Sequence, residues 1–218
     1  MTKRRVAILI SGRGSNMTAL IEAAAAQDYP AQIDLVVSNI AGAGGLAKAS
    51  AAGIKTETIE SKPFGKDREA FERKLHEVLV SHDIELVCLA GFLRLLTPWF
   101  VRQWEGRMLN IHPALLPSYK GLHTHERALA DGVKIHGATV HFVVPEMDSG
   151  PIVMQGAVAV RDDDTPDALA ARVLGVEHCI YPDSLRLVAS GRTRLENGVC
   201  KSDAIGSPDD ALISPEVI

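Results

Sequence analysis

Val6-Ala7-Ile8-Leu9-Ile10-Ser11-Gly12-Arg13-Gly14-Ser15-Asn16 opens on five apolar residues and closes on a glycine-rich turn. An unbroken apolar run of this kind marks a strand buried on both faces of a parallel sheet. Residues 17–26 follow in a helical pattern, with Ser15 or Asn16 as the N-cap. Strand, glycine turn and helix N-terminus together make an anion site, because unpaired backbone N–H groups and the helix dipole face the same point. A dinucleotide fingerprint would need glycine at Met17, and an acidic residue at the end of the second strand, residues 33–37. That strand ends instead in Ser38-Asn39. The loop therefore reads as a pocket for a phosphate monoester.

Working outward, further strands are expected at 55–59, 86–90, 108–111, 136–143 and 152–160. A glycine-rich turn, 41–45, leads to a short helix at 46–52. An amphipathic helix is expected at 67–81, with Phe71, Leu75, Val78 and Leu79 on one face. Thr97-Pro98 starts another helix, threonine as cap and proline at the first helical position. A short helix runs to Ala130, and a longer one from 167 to about 180 is expected to end before Pro182. Asn197-Gly198 turns a hairpin over 193–201. Strands alternating with helices predict an α/β fold, a three-layer Rossmann-like, mostly parallel sheet with helices on both faces. The expected organisation is a single catalytic domain over 1–201. Its phosphate-binding half covers about 1–100, its catalytic half about 101–201, and 202–218 form a loose tail.

The composition is that of an ordinary globular protein, 46% hydrophobic and 23% charged over 218 residues. A formal net charge of −4 provides no basic footprint for nucleic acid. No apolar run reaches the length of a membrane span, and the run behind Met1-Thr2-Lys3-Arg4-Arg5 is too short for a signal peptide. Cys88, Cys179 and Cys200 have neither metal nor redox spacing. A reduced, cytoplasmic protein is expected, with no nucleic-acid or membrane partner.

The candidate chemistry lies in Leu109-Asn110-Ile111-His112-Pro113-Ala114-Leu115-Leu116-Pro117. Asn110 and His112, two apart at a strand end, leave the same face of the sheet. An amide donor beside an imidazole suits a reaction in which a carbonyl oxygen gains charge while a proton moves. The proline- and glycine-bounded loop Val144-Pro145-Glu146-Met147-Asp148-Ser149-Gly150-Pro151 presents Asp148 near the same sheet end. Residues 93–96 are too apolar for an exposed loop and pack either on the core or on a flat ligand. His141 reads as a satisfied polar residue within a strand. His112, His123 and His125 suggest a metal site only weakly, since no thiolate or acid sits at matching spacing. No metal is expected.

The combination of Ser11-Gly12-Arg13-Gly14-Ser15-Asn16, Asn110-Ile111-His112-Pro113, Leu115-Leu116-Pro117, Gly121-Leu122-His123-Thr124-His125 and Asp148-Ser149-Gly150-Pro151 resembles the folate-dependent glycinamide ribonucleotide formyltransferases. The likeness runs from about Val6 to Gly191 in the family's order and spacing. It departs at Leu93, where the family often has methionine, and at Gly42 to Gly45, where it often carries an aspartate. The resemblance implies formyl transfer from 10-formyltetrahydrofolate, as co-substrate, to the amine of glycinamide ribonucleotide in purine synthesis. It implies catalytic roles for Asn110, His112 and Asp148, and a substrate site of Gly14, Ser15 and Asn16 for phosphate with Glu177 for ribose. It also implies a folate site of Arg68, Leu93, Arg94, Leu95, Leu96 and Asn110 with Val144, Pro145, Glu146, Met147 and Asp148. The partners implied are these two small molecules, for a monomer or homodimer. Related alternatives sharing the Asn, His and Asp are a formyltetrahydrofolate hydrolase and formyltransferases acting on methionyl-tRNA or a nucleotide sugar. The hydrolases and the tRNA enzymes typically carry an additional domain, for which too little chain is expected here. A binding protein of the same fold without activity is the alternative of a different class.

Overall fold

The computed structural model describes residues 2–203. Seven strands form one sheet in the order β3-β2-β1-β4-β5-β6-β7. These are β1 (Arg4–Ile10), β2 (Ala31–Ser38), β3 (Lys55–Thr58), β4 (Leu86–Leu89), β5 (Met108–His112), β6 (Ile135–Phe142) and β7 (Ile152–Ala159). The first five run parallel, while β6 is antiparallel to both β5 and β7. The two expected halves thus share one continuous sheet. Six helices accompany it: α1 (Ser15–Ala24), α2 (Gly44–Ala51), α3 (Arg68–Ser81), α4 (Pro98–Gln103), α5 (Thr124–Ala130) and α6 (Pro166–Ala189). A 3₁₀ turn occupies Lys62–Phe64, and β8 (Thr193–Glu196) pairs with β9 (Val199–Ser202) across the Asn197-Gly198 turn.

The period-2 alternation of a strand sorts the apolar residues into two cores. Val6, Ile8 and Ile10 join Cys88, Leu109, Val140 and the helix residues Met17, Leu20, Val173 and Tyr181 on one face. Ala7 and Leu9 join Val87 and Met108 with Phe71, Leu75, Leu79 and Phe100 on the other. Helices therefore cover both faces, α1 and α6 on the first and α3 and α4 on the second. By the same parity Asn110 and His112 lie on the α3 side, directly opposite His141 and Thr139 of β6.

Three local expectations are corrected. Gly14, not Ser15 or Asn16, is the N-cap of α1; its φ of 68° is left-handed, and no side chain caps the helix. Helix α6 does not stop before Pro182 but runs on to Ala189. Proline there removes a donor and would normally break the helix at a cost of about 3 kcal/mol. Beyond it, however, Leu185 and Val188 bury against the first core. Tyr29 Oη also donates to the Pro182 carbonyl at 2.6 Å, and Ser184 Oγ to the Ile180 carbonyl at 2.7 Å. Finally Ser202, assigned to the tail, pairs with Thr193 in the hairpin. The remainder of the expected tail, 204–218, lies outside the described residues.

Candidate active site

In a sheet of this order the crevice for a ligand opens where neighbouring strands lead their connections to opposite sides, here between β1 and β4. Leu9, Leu89 and Asn110 lie in one transverse row. Asn110 is thus two strand spacings, about 10 Å, from the strand that leads into the glycine turn. The α1 N-terminus and the Asn110–His112 strand end face the same crevice.

The turn itself is made by close backbone approach. A Cβ on Gly14 would stand 3.1 Å from the Gly45 Cα, and one on Gly45 3.2 Å from the Gly12 carbonyl oxygen, to which Gly45 donates its N–H at 3.0 Å. Of the glycines in 42–45, Gly45 therefore packs against the turn, while a Cβ on Gly42 or Gly44 would meet open space. Asn16, buried, turns inward and donates from Nδ2 to Glu177 Oε2 of α6 at 2.7 Å. Burial raises the Glu177 pKa above the ordinary carboxyl value, and the Asn16 bond offsets this in part. The Oδ1 of Asn16 is buried without a protein partner. An acceptor and a buried acid are thus held beside the N-terminal turn of α1.

Around Asn110 almost every polar atom has an assigned neighbour. His112 Nε2 lies 2.9 Å from the Tyr119 carbonyl, which can only accept, so this nitrogen carries a proton. His112 Nδ1 faces Asp148 Oδ2 at 3.5 Å. Asp148 itself sits at φ 49°, and the Gly121 N–H donates to its Oδ2 at 2.8 Å. Gly150 allows the loop to close on β6: a Cβ there would stand 1.7 Å from the Phe142 carbonyl oxygen. Thr139 donates to the Ala114 carbonyl at 2.7 Å and accepts the Leu116 N–H at 3.0 Å, fastening the chain beyond His112 to β6.

His141 has a role beyond the expected satisfied polar residue. Its Nδ1 is 2.9 Å from the Phe142 carbonyl and so donates, leaving Nε2 as an acceptor for Asn110 Nδ2 at 3.2 Å. Burial lowers the His141 pKa and favours this neutral form. The imidazole thereby orients the Asn110 amide, spending one N–H and leaving the second for a ligand. Its Nε2 also stands 4.0 Å from Asp148 Oδ1. The only signal in the sequence was the β5–β6 register, which needs the pairing to be known.

The other named residues are less closely gathered. Arg68, the first residue of α3, is exposed. Leu93 and Leu95 are 77% and 59% exposed, so they do not pack on the core, whereas Arg94 turns its guanidinium over the Phe71 ring at 4.9 Å. Pro145, Glu146 and Met147 are exposed, and Val144 half-buried. Leu96 packs against the second core. The His123 side chain is turned to solvent, and among the described residues no group of three or more His, Cys, Asp or Glu is placed to hold a metal ion. No helix among them is long and apolar enough to cross a membrane.

The formyl transferase family model matches residues 4–185. Phosphoribosylglycinamide formyltransferase of Escherichia coli strain K12 is 41% identical over 211 residues, 97% of this chain and 99% of its own length. The human trifunctional purine biosynthetic protein adenosine-3 is 51% identical over 197 residues, and the chain spans only 19% of that relative's length. The crystal structure of glycinamide ribonucleotide transformylase 1 from Symbiobacterium toebii superposes with a TM-score of 0.88 at 39% identity, covering 92% of this chain and 94% of that one. The chain belongs to the formyl transferase family, and within it to the phosphoribosylglycinamide formyltransferases.

Proposed function

We propose that the protein transfers the formyl group of 10-formyltetrahydrofolate to the amine of glycinamide ribonucleotide, giving formylglycinamide ribonucleotide and tetrahydrofolate in purine biosynthesis. The observation that carries this reading is the meeting of Asn110, His112 and Asp148 beside the crevice onto which the α1 N-terminus opens. A phosphate-binding protein alone needs none of the three. The phosphate is held by the backbone at Gly14, Ser15 and Asn16, and the ribose hydroxyls by Glu177. The exposed leucines of 93–96 offer an apolar wall for the flat pterin, with Val144 to Asp148 opposite and Arg68 toward the acidic end of the folate.

The chemistry follows from where charge develops. The neutral amine attacks the formyl carbon, forming a C–N bond and a tetrahedral intermediate with an oxyanion and a positive nitrogen. The free N–H of Asn110 donates to that oxygen; His112, its Nε2–H held by the Tyr119 carbonyl, donates from Nδ1 as the imidazolium paired with the Asp148 carboxylate. One such preorganised donor contributes about 3–4 kcal/mol to the barrier reduction. Asp148 pairs with the imidazole and relays the proton from the attacking nitrogen to N10 of the folate as the C–N10 bond breaks. The one-carbon unit is supplied by the folate and the positioning by the protein.

The test is an absorbance assay of tetrahydrofolate formation from 10-formyltetrahydrofolate, with and without glycinamide ribonucleotide. Release only in its presence is the expected result. Release without an acceptor would mark a hydrolase, and no release from folded protein would mark another acceptor or a binding protein.

A further inference from the structure

Ser11 lies just past β1, two residues beyond Leu9 and on the same α3-facing side of the sheet. Its hydroxyl is buried and fully committed: it donates to Asn39 Oδ1 at 2.6 Å and accepts the Leu93 N–H at 2.8 Å. Its own N–H donates to the Gly91 carbonyl at 3.0 Å. Asn39, just past β2, spends its Nδ2 on Ser61 Oγ at 3.3 Å and its carbonyl on the Ser61 N–H at 3.2 Å. The ends of β1, β2, β3 and β4 are thus tied together by three small buried side chains. Asn39 stands where dinucleotide folds carry the acid that binds a ribose. Here the side chain at that position is spent on Ser11 and Ser61.

The segment this network reaches has few other constraints. Leu93 and Leu95 project into solvent, so no apolar packing locates them. At the far end Thr97 donates its N–H to buried Glu72 at 2.8 Å. Residues 93–97 are therefore a strap pinned at Leu93 by Ser11 and at Thr97 by Glu72, with Arg94 resting on Phe71 and Leu96 packed on the second core between.

We propose that Ser11, oriented by Asn39, is a positioning residue for the strap, so that the first residue of the phosphate loop sets the folate wall. This rests on the reading of residues 93–96 as folate-facing. Ser11→Ala leaves the half-buried Leu93 N–H and the buried Asn39 Oδ1 unpaired and so releases the strap at Leu93; where folate binding must hold the strap in place, the loss of one such bond costs about tenfold in affinity. By calorimetry, Ser11→Ala is expected to bind tetrahydrofolate about tenfold more weakly. The folate KM should rise to match, with kcat and the ribonucleotide KM within about twofold of the parent. Ser11→Thr keeps the Oγ and is expected to restore most of the loss, which a merely destabilised fold would not show. Should Ser11→Ala fail to fold, Ser61→Ala removes only the outermost acceptor and is expected to shift folate affinity in the same direction by about twofold to threefold. The proposal is overturned if the ribonucleotide KM rises while tetrahydrofolate binding is unchanged, if kcat falls with both KM values unchanged, or if Ser11→Thr fails to rescue. Tetrahydrofolate binding needs no acceptor. A parent protein that binds it without transferring formyl to the ribonucleotide sinks the proposed function and still decides the role of Ser11; a parent that does not bind it sinks both.

Discussion

The crevice has two ends built from different material. At the end of β1 the site is mostly backbone: a left-handed glycine cap, a helix N-terminus, and Gly45 packed within van der Waals reach of the turn, with the Asn16–Glu177 pair beside it. At the end of β5 it is side chain: an amide, two imidazoles and a carboxylate, held by a carbonyl and an N–H from the loop after β5 and by the last carbonyl of β6. Under the proposed function the first end meets a group whose charge does not change during the reaction, so fixed dipoles suffice. The second must meet a charge that appears and a proton that moves, which calls for groups able to donate, accept and titrate. One end fails when atoms are added to it, the other when a charge or a donor is removed.

The largest expected effect tests the side-chain end. Asp148→Asn keeps an oxygen for the Gly121 N–H and so keeps the loop, but removes the charge facing His112. Turnover should fall by about 10²–10⁴, the contribution usual for positioned acid–base groups. Both KM values should stay within about tenfold, a difference of ~1.4 kcal/mol. Steady-state kinetics in each substrate would check this. Collapse of binding with turnover would mean that the carboxylate serves the loop rather than the proton.

Gly14→Ala tests the backbone end with the opposite signature. The left-handed cap costs a non-glycine residue about 1–2 kcal/mol. The new methyl would also meet the Gly45 backbone at 3.1 Å. The ribonucleotide KM is expected to rise about tenfold with the folate KM unchanged and kcat within about twofold. A fall in kcat equal to the rise in KM would show that the phosphate grip positions the amine, and the two ends would then be one device.

The same division decided what could be read from the chain. The backbone end was legible because a buried strand, a glycine turn and a helix start are adjacent in sequence, and Asn110 and His112 because two residues apart means one face. Asp148 was legible as a polar residue on a rigid loop. His141 was not, because its meaning depends on facing Asn110 across β6, 31 residues away. Glu177, which Asn16 meets across 161 residues, was named only through the family likeness. Pro182 misled for a related reason: the local rule against proline in a helix was outweighed by burial of the turns beyond it. Asn39 was noted for the acid it is not, and its bond to Ser11 emerges only when the ends of β1 and β2 are side by side.

Glu177→Gln carries the smallest effect and the finest distinction, since Glu177 is a buried acid at the end otherwise made of backbone. Its folded pKa is raised by burial, so the folded chain holds the proton more tightly than the unfolded chain does. The stability this contributes is present below the unfolded carboxyl pKa of about 4.3 and is lost as pH rises through the folded value. At neutral pH the raised pKa therefore weighs against the fold, and a neutral amide that still accepts from Asn16 should lift the burden. A melting temperature higher by about 2–4 °C at pH 7 is expected, shrinking to nothing below about pH 4. The gain should come with a ribonucleotide KM raised about fivefold, because a ribose hydroxyl bonds a carboxylate more strongly than an amide. Thermal melts across pH and a KM in each substrate would separate the two effects. A lower melting temperature at pH 7 would place Glu177 among the struts of the fold, and the phosphate end would then be backbone alone.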